Sequence, residues 1–369
     1  MIYWITFLII AYSLIYLYDA DNRHRGFILF LFIFVLIYFS AFRDGLGMDY
    51  TAYRNYCEYE RVYSMDWLMM EPFPAALYKF CYDTTFSAII FFLITSIITC
   101  TLCIWVYSRY KNFWISAFLF VTYTNLYFAS FNIVRQFTAS SIILLGAHLF
   151  IFRKKNPWFF AFVILAFLWH KSSILCVFIY FLSEKNVNIK FWLIAIIASW
   201  VLPFNFLFNI PVVSQWIEVF NYSDNINHVV NAYSRTSASN LYMHVMIIFF
   251  LLNWKRVERI KDASFIIPFK IFIISVMCCN ISANSIGFMY RYAMFLSPFI
   301  PIAFSYIPKI ADRDLAKLLV CVPIFMLLMI VLLLNMGDRT ICPQKILPVE
   351  SIYDKNYHPY DNPKTIQIQ

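Results

Sequence analysis

The chain alternates between apolar runs long enough to cross a bilayer and short polar segments that hold most of its charge. Runs of this kind cover residues 2–18, 26–42, 86–107 and 318–335. A helix of about 20 residues spans a hydrocarbon core of about 30 Å, and backbone groups in lipid are satisfied within a helix. Charged residues make up only 13% of the chain. The sequence therefore predicts an all-α fold, a polytopic helical bundle in a membrane.

The apolar pattern predicts about twelve crossings. Residues 157–183 are the ambiguous part, because two short halves flank the letters HKSS and fit two crossings, a tight hairpin or a broken re-entrant element. We predict one membrane domain over residues 1–335, with larger polar loops at 43–85 and 209–237, and a polar tail at 336–369. The predicted crossings are 2–18, 26–42, 86–107, 113–129, 133–151, 157–169, 172–183, 191–208, 238–253, 264–282, 289–307 and 318–335.

Basic residues are distributed unevenly between the two sets of loops. One set holds 16 basic residues against 7 acidic ones, and the other, with the tail, holds 12 against 13. Loops rich in lysine and arginine stay in the cytoplasm, so we expect both termini and all three larger polar segments to face outward. The net charge of +9 is thus explained by membrane orientation, and we expect no nucleic acid as a partner.

Several cations interrupt this pattern at the outward ends of predicted spans. Ionisable groups at membrane depth are costly and mark candidate functional sites, although an arginine there also snorkels to the interface or pairs with an acid. The topology places five such cations at one level. Their positive charge suits a phosphate group, and the arginine forks suit its oxygens. The set consists of Arg43, Arg135, Lys171, Arg235 and Arg291.

Three residues near these cations are candidates for proton transfer. His170 ends an apolar run and has the residue type that titrates near neutrality. Asp49 lies in GLGMDY, where Gly45 and Gly47 permit tight backbone, and Glu71 precedes an apolar segment too short to span. Each of the three could act as a general base toward a hydroxyl group.

Neither a metal nor another cofactor is expected. The sequence contains no P-loop, HExxH, GxSxG or zinc-ligand spacing. Most of the nine cysteines fall within predicted spans, where cysteine is usually an apolar filler. A disulfide among Cys57, Cys81 and Cys342, which lie outside or at the edge of spans, stays open because spacing does not establish pairing.

Five segments, in this order, resemble the EpsG-like branch of bacterial Wzy-type polymerases. They are FRDGLGMDYTAY, MEPF, NIVRQFTAS, WHKSSI and YRYAMF, within residues 1–310. Proteins of this kind transfer a growing glycan from undecaprenyl diphosphate to a new lipid-linked repeat unit of O-antigen, capsule or exopolysaccharide. The chain departs from the family pattern after Arg43, where a hydrophobic or aromatic residue is common, and its tail resembles nothing known to us.

The resemblance implies a membrane glycosyltransferase at the outer face of the bacterial inner membrane. Its donor and acceptor would be undecaprenyl-diphosphate-linked oligosaccharides, and a chain-length regulator is a further partner that the resemblance allows. The five cations would hold the diphosphate, and His170, Asp49 or Glu71 would take a proton. Two alternatives stay open from the residues alone: a flippase for the same lipid-linked oligosaccharide, and a membrane acyltransferase that modifies polysaccharide.

Overall fold

The regular structure of the protein is helical. A computed structural model of the chain describes residues 2–45, 47, 49–58, 71–84, 87–123, 126–152, 154–185, 188–202, 238–284 and 289–311. Within these ranges the elements are helices joined by turns, which confirms the all-α prediction. The predicted span 318–335, the loop 209–237 and the tail 336–369 lie outside the described residues, so the predicted domain division stays a prediction.

Several helices are shorter than the spans predicted from the sequence. Two 3-10 turns, Lys171–Val177 and Ser297–Phe299, lie among them. The α-helices are α1 Ile2–Ala20, α2 Arg25–Ala41, α3 Tyr50–Glu58, α4 Pro72–Thr84, α5 Ala88–Tyr107, α6 Phe113–Thr122, α7 Ala129–Asn132, α8 Val134–Phe150, α9 Phe159–Phe167, α10 Phe178–Phe181, α11 Ile189–Val201, α12 Ala238–Leu252, α13 Trp254–Val257, α14 Ala263–Asn284, α15 Met289–Leu296, α16 Ile300–Phe304 and α17 Ile307–Ile310.

Helices α5 and α8 form the centre of the bundle. They pack on each other, α2 covers α5, and α9 covers α8. The facing sides carry small hydroxyl residues, among them Thr99 and Thr138, whose side-chain oxygens lie 3.3 Å apart. Small residues let helix backbones approach closely, and their hydroxyls bond locally or across the interface, which suits packing in lipid.

Two helices, Ala88–Tyr107 and Ala263–Ala283, are long and apolar enough by themselves to cross a membrane. The other apolar helices among the described residues are shorter. The number of crossings, about twelve, therefore stays a prediction.

The predicted span 289–307 is broken into short pieces. Pro298, Pro301 and Pro308 each lack a backbone N–H, so a continuous helix is interrupted at each of them. Side chains of the neighbouring α5 and α6 region bond to carbonyls of the broken segment: Tyr107 donates to the Pro298 carbonyl over 2.8 Å, and Ser116 donates to the Pro301 carbonyl over 2.9 Å. The segment keeps its backbone satisfied without being one helix.

Residues 157–183 form a short hairpin. Helix α9 ends at Phe167, His170 is extended with φ −159° and ψ 118°, and a 3-10 turn then leads into α10. At 1.5 Å per residue, a nine-residue α9 is about 14 Å long and much shorter than the hydrocarbon core. Of the sequence-based alternatives, the hairpin describes this segment best, and its turn carries His170.

A buried lysine holds the returning end of this hairpin. Lys270 lies in the apolar helix α14, and its ammonium group donates to the carbonyls of Ser183 and Lys185 over 2.6 and 2.7 Å. These two carbonyls follow α10 and have no intrahelical partner there. The Lys270 ammonium group thus supplies these two carbonyls with hydrogen-bond donors, which lipid chains cannot provide.

Candidate functional site

Glu71 is the centre of a buried polar cluster between α4, α8 and the turn of the α9–α10 hairpin. Its Oε2 accepts a hydrogen bond from Arg135 Nη1 over 2.5 Å, and its Oε1 lies 3.0 Å from His170 Nδ1. The backbone N–H of Lys171 also donates to Oε1, over 3.3 Å. The Glu71 carboxylate therefore joins three segments of the chain, and the most distant two, at residues 71 and 171, are 100 residues apart.

Local sequence explains why Glu71 occupies this position. Pro72 begins α4, a position where proline costs the helix nothing, and an acidic residue just before it interacts favourably with the helix dipole. The next backbone N–H, that of Phe73, donates to the Leu168 carbonyl over 3.1 Å. The start of α4 and the end of α9 thus satisfy each other, and this contact brings Glu71 next to His170.

His170 is oriented by the carboxylate. A carboxylate oxygen accepts hydrogen bonds, so Nδ1 carries the proton and Nε2 is left with its lone pair. Burial lowers the pKa of His170, while the hydrogen bond to Glu71 opposes this effect. At neutral pH the imidazole is therefore neutral, and Nε2 can accept a proton.

The Glu71 carboxylate is strongly acidic. Burial tends to raise its pKa, but the hydrogen bond with His170 and the charge of Arg135 outweigh burial and lower the pKa to about 2. Glu71 is consequently ionised at neutral pH and is a weak base. It is better suited to holding His170 and Arg135 in place.

Arg135 joins this cluster through its ion pair with Glu71. Helix α7 ends at Asn132, and the bend at Ile133 starts α8, which places Arg135 in the first turn of α8. A cation there is unfavourable for the helix dipole, and the ion pair with Glu71 compensates for it. About 30% of the Arg135 side chain is exposed.

Asp49 and Arg291 lie beside the same cluster. Arg291 and Arg135 both act electrostatically on Asp49, lowering its pKa, while burial, the larger effect, raises it. The charges of the same two arginines also act on His170. Arg291 is exposed, and among the described residues its guanidinium makes no hydrogen bond. Arg291 is thus the cation best placed to bind an anion from outside.

Gln136 was not singled out from the sequence, yet it connects two parts of the site. Its side-chain amide donates to the main-chain carbonyl of Arg291 over 2.6 Å. One turn further along α8, the hydroxyl of Ser140 donates to the Phe295 carbonyl. These two bonds hold α15 against α8. They place Arg291 of α15 near Arg135 of α8. The adjacent letters R and Q at the start of an apolar run were the available signal.

Two tyrosines cover the other side of Arg135. The hydroxyl of Tyr53 donates to the Asn132 carbonyl over 3.4 Å and lies within electrostatic range of Arg135 and Asp49. The hydroxyl of Tyr78 is fully buried and has no hydrogen-bond partner among the described residues. Arg135 and Glu71 both act on it electrostatically. Neither tyrosine stood out from the sequence, which contains 26.

Arg43 occupies a different position from the one expected. Its guanidinium is 1% exposed, donates to the carbonyls of Ser40 and Phe131, and lies 4.1 Å from the centre of the Phe92 ring. The sequence-based prediction that Arg43 contacts a diphosphate directly is therefore not supported by its placement, because surrounding side chains enclose it. Its bond to Phe131 instead stabilises the α7–α8 bend that presents Arg135.

Gly47 has a structural role next to this bend. Its φ is +108°, and a Cβ atom would lie 2.7 Å from the Phe131 carbonyl oxygen and 3.0 Å from Asn132 Oδ1. Gly45 also has a positive φ, of 62°. The loop after α2 thus lies directly against the α7–α8 bend, and this close approach brings Asp49 to the site.

The remaining predicted cations differ in what the structure describes. Lys171 joins the site through its backbone N–H, which bonds to Glu71. Arg235 lies outside the described residues. Of the expected cations, Arg135 bonds to Glu71, and Arg291 acts electrostatically on His170. Arg43 is enclosed by other side chains and carbonyls.

The start of α8 lies beside a small cavity between α5 and the α7–α8 bend. Val134, just before Arg135, lines the same small cavity as Thr95 of α5, together with Arg43. Thr95 lies seven residues, or about 10 Å, along α5 from the helix start at Ala88. Arg43 at this cavity is buried, so its charge is screened less by water than a charge on the surface.

The arrangement combines an anion-binding edge with a proton acceptor. Arg291 and the exposed part of Arg135 offer positive charge, and His170 Nε2 offers a lone pair close to them. Among the described residues, no group of three or more histidine, cysteine, aspartate or glutamate side chains could hold a metal ion.

Comparison with protein families supports the resemblance noted from the motifs. A model described as the EpsG family matches residues 26–351, which is most of the chain and includes every residue of the site. Comparisons with curated proteins and with solved structures gave no match.

Proposed function

The chain belongs to the EpsG family, and from this premise and the site geometry we propose that it polymerises lipid-linked oligosaccharide repeat units. The family is associated with glycosyltransferase-like polysaccharide polymerases. Together with its apolar helices, the family makes this a membrane protein of polysaccharide biosynthesis. The donor in our proposal is a glycan on undecaprenyl diphosphate, and the acceptor is a hydroxyl group of a second lipid-linked unit.

The observation that carries the proposal is the carboxylate of Glu71 bridging Arg135 and His170 beside the exposed Arg291. A lipid diphosphate is an anion held at the membrane interface, and a pair of arginines at the ends of predicted spans matches its charge. The transfer uses a lipid-linked donor and needs no nucleotide.

In the proposed reaction, Arg291 and Arg135 bind the diphosphate of the donor. The acceptor oxygen forms a bond with the anomeric carbon while the bond from that carbon to the diphosphate breaks, and the lipid diphosphate leaves with the electron pair. The two arginines stabilise the charge on the leaving group. Preorganised donors of this kind commonly contribute about 2.7–4 kcal/mol each.

His170 Nε2 takes the proton of the acceptor hydroxyl in this scheme. Glu71 holds the ring by Nδ1 and stabilises the imidazolium that forms, which is the usual arrangement of an oriented general base. Asp49 is the alternative base, since burial raises its pKa and it lies beside the same arginines. The geometry favours His170, because the hydrogen bond from its Nδ1 to Glu71 fixes the ring and so orients the acceptor atom Nε2.

The orientation in the proposal follows the charge pattern of the loops. Glu71, His170 and Arg135 would face the exterior, the periplasmic side in a two-membrane bacterium, and the protein would lie in the inner membrane. A chain-length regulator would act on the product and needs no place in the chemistry.

A test compares the polymer made by Arg135→Ala, Arg291→Ala and His170→Ala with that of the unmodified protein. Purified protein is incubated with the lipid-linked repeat unit alone, and the products are separated by gel electrophoresis. We expect each variant to lose polymer by at least about a hundredfold, the effect of removing one such donor. Arg109→Ala is the matched control, because its guanidinium packs on Trp105 at the opposite end of α5.

The same assay separates the alternatives. A flippase would yield no polymer from the repeat unit in detergent, and cells lacking it would accumulate the unit on the cytoplasmic leaflet. Cells lacking a polymerase display single repeat units outside. An acyltransferase would require an acyl donor. Normal polymer from Arg135→Ala and His170→Ala would refute the proposed mechanism.

A further inference from the structure

Helices α3 and α4 form a small unit on the outer side of the site, and its interior contains two cysteines. Tyr53 of α3 lies beside Tyr78 of α4, with ring centres 6.5 Å apart. About one turn further along each helix are Cys57 and Cys81, which share the same buried cluster. The two helices therefore run side by side in the same direction, with matching residues facing each other.

The thiols of Cys57 and Cys81 are in contact. Both residues are 0% exposed, and the two sulfur atoms lie within hydrogen-bonding range. They come from separate helices and are separated in sequence by 24 positions, so a bond between them would join two distinct elements. Contact between the side chains of two cysteines on adjacent helices is a precondition for a disulfide between them.

The other described cysteines do not share these properties. Cys100 and Cys103 lie on one helix, Cys278 and Cys279 are sequence neighbours on another, and Cys176 is alone. All five lie in predicted crossings, where neither water nor a soluble oxidant reaches them. The pair in the α3–α4 unit is thus distinguished by both its geometry and its location.

We propose that Cys57 and Cys81 form a disulfide bond in the mature protein. The proposal rests on the outward orientation of residues 43–85 in the proposed function, because disulfides persist in oxidising compartments outside the cytoplasm. Nothing in the sequence spacing alone selected this pair from the three cysteines outside or at the edge of the spans.

The oxidant in this proposal is a disulfide-bearing thiol oxidase of the cell envelope. The thiolate of one cysteine attacks the disulfide of the oxidase, forms a mixed disulfide and releases one oxidase thiol. The thiolate of the second cysteine then displaces the other oxidase thiol. Two protein thiols are oxidised, one oxidase disulfide is reduced, and both protons leave with the oxidase thiols. Burial raises the pKa of Cys57, so the bond would form during folding, before the unit closes.

The bond would stabilise the part of the chain that carries the central carboxylate. Glu71 lies between the two cysteines in sequence, in the segment that the disulfide closes into a loop. Closing a loop reduces the entropy of the unfolded chain. The covalent link would also hold α4 against α3 while Glu71, at the start of α4, holds Arg135 and His170.

The test counts free thiols in the protein taken directly from membranes. Cells are quenched with acid, and the full-length chain is denatured in the presence of a polyethylene glycol maleimide, with or without prior reduction. The chain has nine cysteines. We expect nine adducts after reduction and two fewer without it, with the difference abolished in Cys57→Ala and in Cys81→Ala. A peptide digest should contain the Cys57–Cys81 cross-link only without reductant.

A second measurement separates failure of this proposal from failure of the proposed orientation. Lys79→Cys introduces a thiol on the exposed face of α4, two positions before Cys81 and therefore directed away from it. A membrane-impermeant maleimide should label this variant in intact cells. Labelling of Lys79→Cys with equal adduct counts before and after reduction would overturn the disulfide and leave the orientation intact. Absence of labelling would overturn the outward orientation on which the disulfide proposal rests.

Discussion

Replacing Glu71 with glutamine tests the central ion pair directly. The substitution keeps the size of the side chain and removes its charge, while Arg135 Nη1 loses a carboxylate partner at 2.5 Å and His170 Nδ1 loses one at 3.0 Å. The new amide group also turns donors toward a region already occupied by donors. Stability and polymer formation should both fall.

The size of the effect on stability follows from the pKa of Glu71. This pKa is lowered from its ordinary value of 4.5 to about 2, in a side chain that is 7% exposed. Each pKa unit corresponds to about 1.4 kcal/mol, so the native state gains about 3 kcal/mol when Glu71 is ionised. Two charge-assisted hydrogen bonds of about 1.5–3 kcal/mol each are of the same order.

The sign of the pH dependence is set by the direction of this change. Because the folded state has the lower pKa, its stabilisation is complete above about pH 4.5 and is lost as the pH falls toward about 2. The unmodified protein in detergent should lose about 3 kcal/mol of unfolding free energy over that range from this group. Glu71→Gln should be less stable at pH 7 and should lack this part of the acid dependence.

Thermal unfolding followed by tryptophan fluorescence at pH 7, 5, 4 and 3 provides the measurement. Glu58→Gln is the matched control, because Glu58 also pairs with an arginine at 2.5 Å, in the α3–α4 unit and away from His170. The control should lose stability and keep its polymer pattern at permissive temperature, whereas Glu71→Gln should lose polymer. Identical acid dependence in Glu71→Gln and the unmodified protein would refute the reasoning.

Three further predictions concern the surroundings of the site. Gly47→Ala should lower the thermal midpoint and the polymer yield, because a positive φ in a non-glycine residue costs about 1–3 kcal/mol and the new Cβ would meet the Phe131 carbonyl. Gly26→Ala is the control: no atom lies within 4 Å of its Cβ, so neither quantity should fall. Tyr78→Phe should leave the thermal midpoint unchanged or raise it, since the lost hydroxyl has no hydrogen-bond partner among the described residues; a lower midpoint would contradict this. Lys270→Met should lower the thermal midpoint, because it removes both hydrogen bonds of the ammonium group and each carbonyl left unsatisfied costs about 1–3 kcal/mol. The variant should still form polymer at low temperature.

The position of Arg43 shows that a charged residue at a predicted span end is not enough to predict a ligand-binding residue. An arginine at a span end is expected either to bind an anion or to be satisfied within the protein, and the sequence does not distinguish the two. Carbonyls and aromatic rings from α2, α5 and the α7–α8 bend surround Arg43. These groups come together only through tertiary packing, so the role of Arg43 could not be read from its neighbours in the sequence.

Hydrophobicity and the restriction of charge determined much of this protein without a structure. Lipid admits only self-satisfied backbone, so long apolar runs predicted helices, and the structure confirmed an all-α fold. Local motifs likewise identified Glu71, Arg135 and His170 individually. Tertiary structure decided which of them meet: one carboxylate joins a helix start, a bend and a hairpin turn. It also decided the role of Gln136 and the contact between Cys57 and Cys81, because contacts between distant segments depend on packing that no local pattern encodes.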